Sequence, residues 1–579
     1  MENERKSLKK NQLISFAITL IIIVVVNVIS SFIYTRFDLT SEKRYTLSDT
    51  SKEILRNLDD YVYFRVYLEG EFPAGFKKLR KETKEMLDEF RAYSKFVDYD
   101  FINPSESNDA AERSETYKLL YQSGLNPTEL SIPTKDGAQQ IVIWPCALVS
   151  YQNKELPLDL LETQFGKSSE TTLNNSAQNL EYKFISAIKD LSQHQKPSIA
   201  FIEGHGELTE NEVYDITNTL SKKYSVKRVA INEQITSLNR RSETSDSSIL
   251  INSNYDAIVI AKPTKPFSEK DKFIIDQYVM RGGKVLWLVD PVFASMDSLQ
   301  SSESTMGNSL NLNLDDMFFK YGLRLNKNLL LDYNSAAIAL RTGQMGGQAQ
   351  IEYYRWYYFP LLNSASNSNI VKNINPIKAD FISSIDPVMS DSDVQKIPLL
   401  KTSDYTKISA APVFISLSML RQTPDKRMFS QKGQNVAYLL KGTFESLYAN
   451  RITTAMMESE EIGFKDVSEP TSMIVVADGD IIRNQFHIPK GYPLPLGFDQ
   501  YTQVTYGNKD FIENAISYLV DGEGLIGIRS RELKIRLLDT NKVNSNSILW
   551  QVVNVVLPSV VVIVFGFILA LIRKRKYAK

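Results

Sequence analysis

Cysteine is almost missing from this sequence: Cys146 is the single one in 579 residues. An internal disulfide is therefore excluded, and no thiol near the N-terminus offers a site for lipid attachment. A folded region must be held by core packing alone. If that region lies outside the cytoplasm, a bacterial periplasm suits it better than an animal cell surface, where disulfides are common. Histidine is nearly as scarce, with three residues, and the formal net charge is −1. So small a charge leaves no electrostatic footprint for nucleic acid, and none is expected as a partner.

An intact nucleotide-binding loop is also missing. Two spaced glycines, a Lys and a Ser or Thr are needed for backbone amides to cradle phosphate. Gly166-Lys167-Ser168 has the end of that pattern, but Leu161 stands where its first glycine belongs. Gly70 and Gly75 have the glycine spacing, but Phe76 replaces the Lys. Val285–Asp290 mimics a Walker B strand, and a core strand ending in Asp explains it equally well. ATP hydrolysis is not expected. Amidase chemistry needs a thiolate activated by His. Cys146 sits in the apolar run IVIWPCALVS, in a different unit from His205, and reads as a buried structural thiol. His194 and His487 lie in turn-like surroundings with nothing to pair them. The chain is expected to be non-enzymatic.

What the sequence does have is apolar length at its two ends. Leu13–Ile33 runs without a charge, and at 1.5 Å per residue it spans roughly 30 Å of hydrocarbon. Ile548–Ile572 is also uncharged and contains Pro558, which membrane helices tolerate. The first run is longer than the apolar part of a signal peptide and lacks a small-x-small cleavage site. Both are expected to cross a bilayer. Arg5, Lys6, Lys9 and Lys10 precede the first, and Arg573, Lys574, Arg575, Lys576 and Lys579 follow the second. The positive-inside rule puts both termini in the cytoplasm and the long middle outside the inner membrane.

That middle is organised around Tyr255–Pro291. The apolar runs Ala257–Ala261 and Val285–Val289 flank a helical segment, opened by Ser268 with Asp271 three residues on and closed by Gly282-Gly283. Strand–helix–strand predicts two parallel strands. Ser198–Val213 repeats the pattern: a strand, a glycine turn, then a helix start at Thr209 with Glu212. Upstream, Tyr61–Leu68 and Val97–Ile102 read as strands, Gly75–Lys95 and Ala110–Tyr121 as helices, and Ile141–Ser150 with Lys154–Leu161 as a strand pair. Leu173–Leu191 reads as one connecting helix, and Ser298–Leu310 as a Ser-rich loop. Downstream, Val371–Ile377, Ala411–Leu417 and Met473–Val476 are expected strands, and Val436–Tyr448 and Phe511–Val520 expected helices. MIVVADGDII (Met473–Ile482) again puts Asp and Gly after an apolar strand and is a candidate start for a further α/β domain.

The motifs YTLSDTSKEIL (Tyr45–Leu55), FIEGHGE (Phe201–Glu207) and Tyr255–Pro291, between two terminal spans, resemble the extracytoplasmic auxiliary proteins of ABC transport systems. The resemblance is strongest to those associated with gliding motility in Bacteroidetes. It implies a multi-unit α/β ectodomain with a flavodoxin-like or glutamine-amidotransferase-like parallel sheet. It also implies a separate ABC ATPase subunit and a separate permease subunit as partners, beside the lipid bilayer and a periplasmic protein. The expected layout is a cytoplasmic N-terminus (1–12), a transmembrane helix (13–33), a first α/β unit with its connecting helix (34–196), a second α/β unit (197–331), a C-terminal α/β region (332–547), a transmembrane helix (548–572) and a basic cytoplasmic tail (573–579).

In open parallel sheets the loops after the strands form the binding edge. Here that edge carries Glu203, Gly204, His205, Gly206, Glu207, Lys262 and Asp290, the residues expected to contact a ligand. No cofactor is expected. Glu203, His205 and Glu207 alternate along an extended segment, as a metal site would require, but two glycines suit an ordinary strand-to-helix turn just as well. A membrane-tethered hydrolase using this loop, or a structural spacer of an envelope apparatus, are the alternatives to a ligand-binding subunit. The aromatic run Tyr353, Tyr354, Trp356, Tyr357, Tyr358 and Phe359 fits either a binding surface for sugar or protein or a strand packed between units.

Overall fold

Alternation of apolar residues is written most clearly into Val62–Val66 (β1), whose side chains are buried at every second position. A computed structural model describes residues 14–26, 46–134, 137–161, 169–193, 195–243, 249–345, 348–372, 374–389, 393–421, 424–488, 490–522, 524–529 and 547–577. Leu47–Arg531 form the body, and the terminal segments form a separate unit.

The body begins with a small α/β unit. β1 pairs in parallel with Val97–Phe101 (β2) and antiparallel with Cys146–Tyr151 (β3), which pairs with Lys154–Asp159 (β4). The helix Ala74–Tyr93 links β1 to β2 and buries Phe76, Leu79, Leu87 and Phe90 at three- and four-residue spacing. Phe184, from the helix Leu180–Ser192, packs edge-on against Phe64 and Phe90 at 5.2 and 6.2 Å. The expected single helix over Leu173–Leu191 is two, Ser169–Gln178 and Leu180–Ser192. The expected strand Ile141–Ser150 is likewise broken, because Pro145 cannot donate to a ladder.

The main sheet draws on Ser198–Glu203 (β5), Ser225–Ala230 (β6), Ala257–Ala261 (β7), Lys284–Leu288 (β8), Ser335–Met345 (β9), Gln348–Ser364 (β10), Val394–Lys401 (β11), Asn435–Gly442 (β12) and Thr471–Val476 (β13). Its order is β9-β10-β11-β12-β13-β8-β7-β5-β6, with the short strand Ile377–Lys378 beside β10. β6, β5, β7, β8 and β13 are parallel, in the order 2-1-3-4-5 along the chain. The expected all-parallel sheet is thus mixed: β13, β12, β11, β10 and β9 run antiparallel to one another. Strands from residues 197–331 and 332–547 hydrogen-bond into one sheet.

Both faces of the parallel half are covered. Val259, Leu286 and Ile474 join the helices Tyr214–Ser221 and Asn508–Asp521 on one face. Ile258, Trp287 and Val475 join the helix Glu269–Met280 on the other. This is why these strands read as unbroken apolar runs. The expected helix Val436–Tyr448 is instead β12. Its run is buried on both sides, and periodicity cannot separate a buried strand from a helix. The expected Ser-rich loop 298–310 holds the helix Met296–Ser301 and a strand Ser304–Ser309, and the expected strand Val371–Ile377 reduces to Ile377–Lys378.

The body ends where it starts. A Cβ built on Gly524 would lie 3.4 Å from Thr50, and Leu525 and Ile528 share a core cluster with Leu47 and Leu55. Lys189 and Asp521 add an ion pair of 2.6 Å across this joint.

In the terminal unit, Leu549–Arg575 is helical over 27 residues, with a mean hydropathy of 3.0 in its most apolar 18-residue window, long enough to cross a membrane. A π turn at Val552–Val556 directly precedes Pro558, whose ring displaces the regular hydrogen bond. Ile14–Val26 is a shorter apolar helix. The rest of the expected first span, residue 13 and residues 27–33, lies outside the described residues.

Phe184→Ala removes the ring that joins both sides of the first unit. We expect a loss of about 3–5 kcal/mol, read as a lowered unfolding midpoint of the full chain in mild detergent.

Candidate functional site

The carboxyl ends of β5, β7, β8 and β13 lie side by side, and two side-chain groups form there. The first is built on the turn after β5. Gly204 and Gly206 adopt φ of 116° and 73°, which only glycine takes without strain. Gly206 has no room for a side chain, since a Cβ would meet Thr264 Oγ1 at 2.2 Å. Thr264 and Lys265 donate their backbone N–H groups to the His205 carbonyl at 2.9 and 2.8 Å, tying this turn to the one after β7.

The His205 ring is buried and stacks on Phe267 at 3.7 Å. Its Nδ1 lies 3.2 Å from Glu207 and its Nε2 3.1 Å from Asp271. Burial opposes a charge on this imidazole, but the two carboxylates outweigh it and hold the pKa above the ordinary value. Asp271 also donates its backbone N–H to Ser268 Oγ at 3.1 Å, so the expected helix cap is part of the same group. Glu203, at the end of β5, pairs with Arg228 of β6, and Arg228 donates to the Leu208 carbonyl at 2.8 Å.

The second group joins Lys262 to Asp290, 3.3 Å apart, and to Asp480. Asp290 Oδ1 accepts the Gly479 N–H at 2.5 Å, and Asp478 accepts the N–H groups of Asp480 and Asp380 at 2.7 and 2.9 Å. Burial pushes the Asp290 carboxyl up to about 6, with Lys262 opposing, and raises Asp478 and Asp380 as well. Burial lowers the Lys262 pKa, but Asp290 and Asp480 more than reverse it, so the ammonium stays charged. Lys262 itself has φ of 53°, and Gly479 gives it room: a Cβ there would fall 2.5 Å from the Lys262 Cβ. Three parallel strand ends are locked together by one ammonium.

The residues expected at the binding edge therefore divide in two. His205 and Glu207 join Asp271 and Phe267, while Lys262 and Asp290 join Asp480. Asp271, Asp478, Asp480 and Asp380 were not expected at the site. The signal for two of them was the ADGD after β13, which repeats the strand-then-Asp pattern of β8. Asp380 arrives on an irregular segment and carries no such mark. Cys146 is buried in the first unit with Leu120, Trp144 and Leu148, and burial raises its thiol pKa, an unreactive setting. His487 stacks on Tyr492 at 4.7 Å. His194 and Gly166-Lys167-Ser168 lie outside the described residues. An open cavity of about 640 Å³ is lined by Phe319, Arg324 and Arg451 among others, and by none of the residues expected to contact ligand. In the aromatic run, Trp356, Tyr357, Tyr358 and Phe359 are core, while Tyr353 is exposed.

The model of a family described as an ABC-type uncharacterized transport system matches residues 196–515, more than half of the chain and all of the main sheet. The protein belongs to that family. A domain of unknown function matches residues 41–150, most of the first unit. A protein of Borreliella burgdorferi (strain ATCC 35210 / DSM 4680 / CIP 102532 / B31), itself described as uncharacterized, is 21% identical over 575 residues, covering 98% of this chain and 99% of the relative. Among solved structures, the mmIFT52 N-terminal domain is matched over its whole length and 58% of this chain, at 11% identity and a TM-score of 0.30. Membership of the transport family accords with a role beside a transporter rather than as an enzyme.

Gly479→Ala must push the Lys262 side chain out of its pocket. We expect a loss of about 1–3 kcal/mol in thermal or denaturant unfolding. The His205 pKa is raised on folding, so its pairs contribute stability that is complete below the ordinary imidazole pKa. That contribution is lost as pH rises through the raised value. His205→Gln should flatten this part of the stability–pH profile, measured from mildly acidic to mildly alkaline pH.

Proposed function

We propose that this protein is a non-catalytic, membrane-anchored subunit of an ABC-type transport complex, with its body outside the cytoplasmic membrane. Separate ATPase and permease subunits supply energy and pathway, and the body binds a ligand or a periplasmic protein. Family membership over residues 196–515 carries this reading. The long apolar helix Leu549–Arg575, followed by a basic tail, supports the anchor. Apolar Ile14–Val26 supports a second span at residues 13–33, with both termini cytoplasmic.

The joint between Thr50 and Gly524 agrees with two tethers, because the chain enters and leaves the body at neighbouring points. The parallel strand order 2-1-3-4-5 is the flavodoxin-like one and supports a binding edge at the strands' carboxyl ends. At that edge Glu203, Gly204, His205, Gly206, Glu207, Lys262 and Asp290 shape the surface a ligand would meet. The link to gliding motility rests on the sequence resemblance to the Bacteroidetes proteins.

Affinity isolation of the full chain in mild detergent tests the subunit assignment. An ABC ATPase and a permease should co-purify in fixed ratio with it. Recovery of the chain alone, under conditions that preserve other transporter complexes, would end the assignment.

A further inference from the structure

β9 and β10 extend beyond the rest of the main sheet as a two-stranded arm. Among the described residues β9 is the last strand on its side and pairs with β10 alone. β10 meets β11 only at Asn363 and Ser364, far from the arm. One face of this ribbon is packed, with Ile338 in a core cluster and Leu340 against it, while its outer edge is open to a further strand. Bare edges are usually guarded by Lys, Pro or a bulge. From Ser335 to Leu340 β9 has no charge and no Pro, and its register shifts fall at Ser335/Ala337 and Arg341/Gly343. Among the described residues Ala337–Arg341 is therefore an uninterrupted edge whose outward backbone groups have no strand partner.

The chemistry of one face is equally specific. Ala337, Ala339 and Arg341 lie opposite Arg355, Tyr353 and Ile351. Tyr353 and Ile351 are 55% and 51% exposed, so the face offers apolar contact beside two small residues. Arg355 spends one N–H on the Tyr333 carbonyl at 3.2 Å. Among the described residues neither Arg341 nor Arg355 has a carboxylate partner. The neighbouring acid, Glu352, is on the opposite face, where it accepts from Tyr354 and Gln350 at 2.6 and 3.2 Å.

We propose that this arm is a docking site for an extended, acidic segment of a partner protein, which adds to β9 as a further strand. Backbone pairing supplies the affinity, and carboxylates meeting Arg341 and Arg355 supply the selection. A second copy of this chain is the poorer occupant, since it would bring two more arginines to the same face. The site is remote from the carboxyl edge and stands whether or not the transport partners are recovered.

The test uses the full chain in mild detergent and fluorescein-labelled peptides of roughly ten residues alternating Glu with Val or Thr. A matched peptide carries Lys in place of Glu. In anisotropy titrations the Glu peptide should bind about tenfold more tightly than the Lys peptide. Arg341→Glu with Arg355→Glu, both at exposed positions, should reverse that preference, and Ala339→Pro should abolish binding of either peptide. No binding of the Glu peptide, or binding that the double charge reversal leaves unchanged, overturns the proposal. A self-association seen by analytical ultracentrifugation and dissolved by Ala339→Pro would give the edge to a second copy and overturn it too.

Discussion

One ammonium holds the main sheet at the edge where it matters. Lys262 stands at the end of β7, Asp290 at the end of β8, and Asp480 just beyond β13. Between β8 and β13 the chain leaves the parallel sheet, builds four antiparallel strands and returns. The fifth parallel strand is thus recruited from far along the sequence, and the lock fixes where it ends. A buried ion pair of this kind is costly to desolvate and adds little stability over an apolar contact. Its value lies in specificity, because a carboxylate left without Lys262 would be a buried, unpaired charge. Gly479 is the geometric condition for the arrangement, since any side chain there would occupy the space of Lys262.

The GHGE turn works by the same logic on the next strand. His205 is held between Glu207 and Asp271 and under Phe267, so the turn after β5 is fastened to the cap of the helix Glu269–Met280. Its two glycines provide backbone angles and close approach. An imidazole between two carboxylates and a stacked ring tie the turn down on three sides. Rigidity at the carboxyl edge is what a binding surface on an α/β sheet requires, since loops position ligands only as well as the scaffold holds them.

Much of this was legible in the sequence where local chemistry decides the outcome. Ser268 with Asp271 marked a helix start, Gly282-Gly283 marked its end, and the apolar runs on either side are β7 and β8. Lys262 and Asp290 stand just after those strands, as their sequence positions imply. What was not legible depends on pairing between distant segments. Asn435–Gly442 has the composition of a buried helix turn or a buried strand, and only its place between β11 and β13 makes it a strand. Met473–Val476 is legible as a strand, but nothing local says that it returns to β8 rather than opening a new domain. The aromatic run after Ile351 splits between core and arm, since its side chains alternate and burial differs along one long strand.

The body is a mixed sheet whose first and last residues meet at one joint. The central claim is that this body is displayed outside the cytoplasmic membrane while the basic ends stay inside. Because Cys146 is buried, single cysteines placed near residue 3, near residue 578 and at exposed Tyr353 can be probed without background. Labelling intact spheroplasts with a membrane-impermeant maleimide should modify the Tyr353 position and spare both ends until the membrane is opened. Labelling of the ends with protection of position 353 in the intact cells would contradict the account.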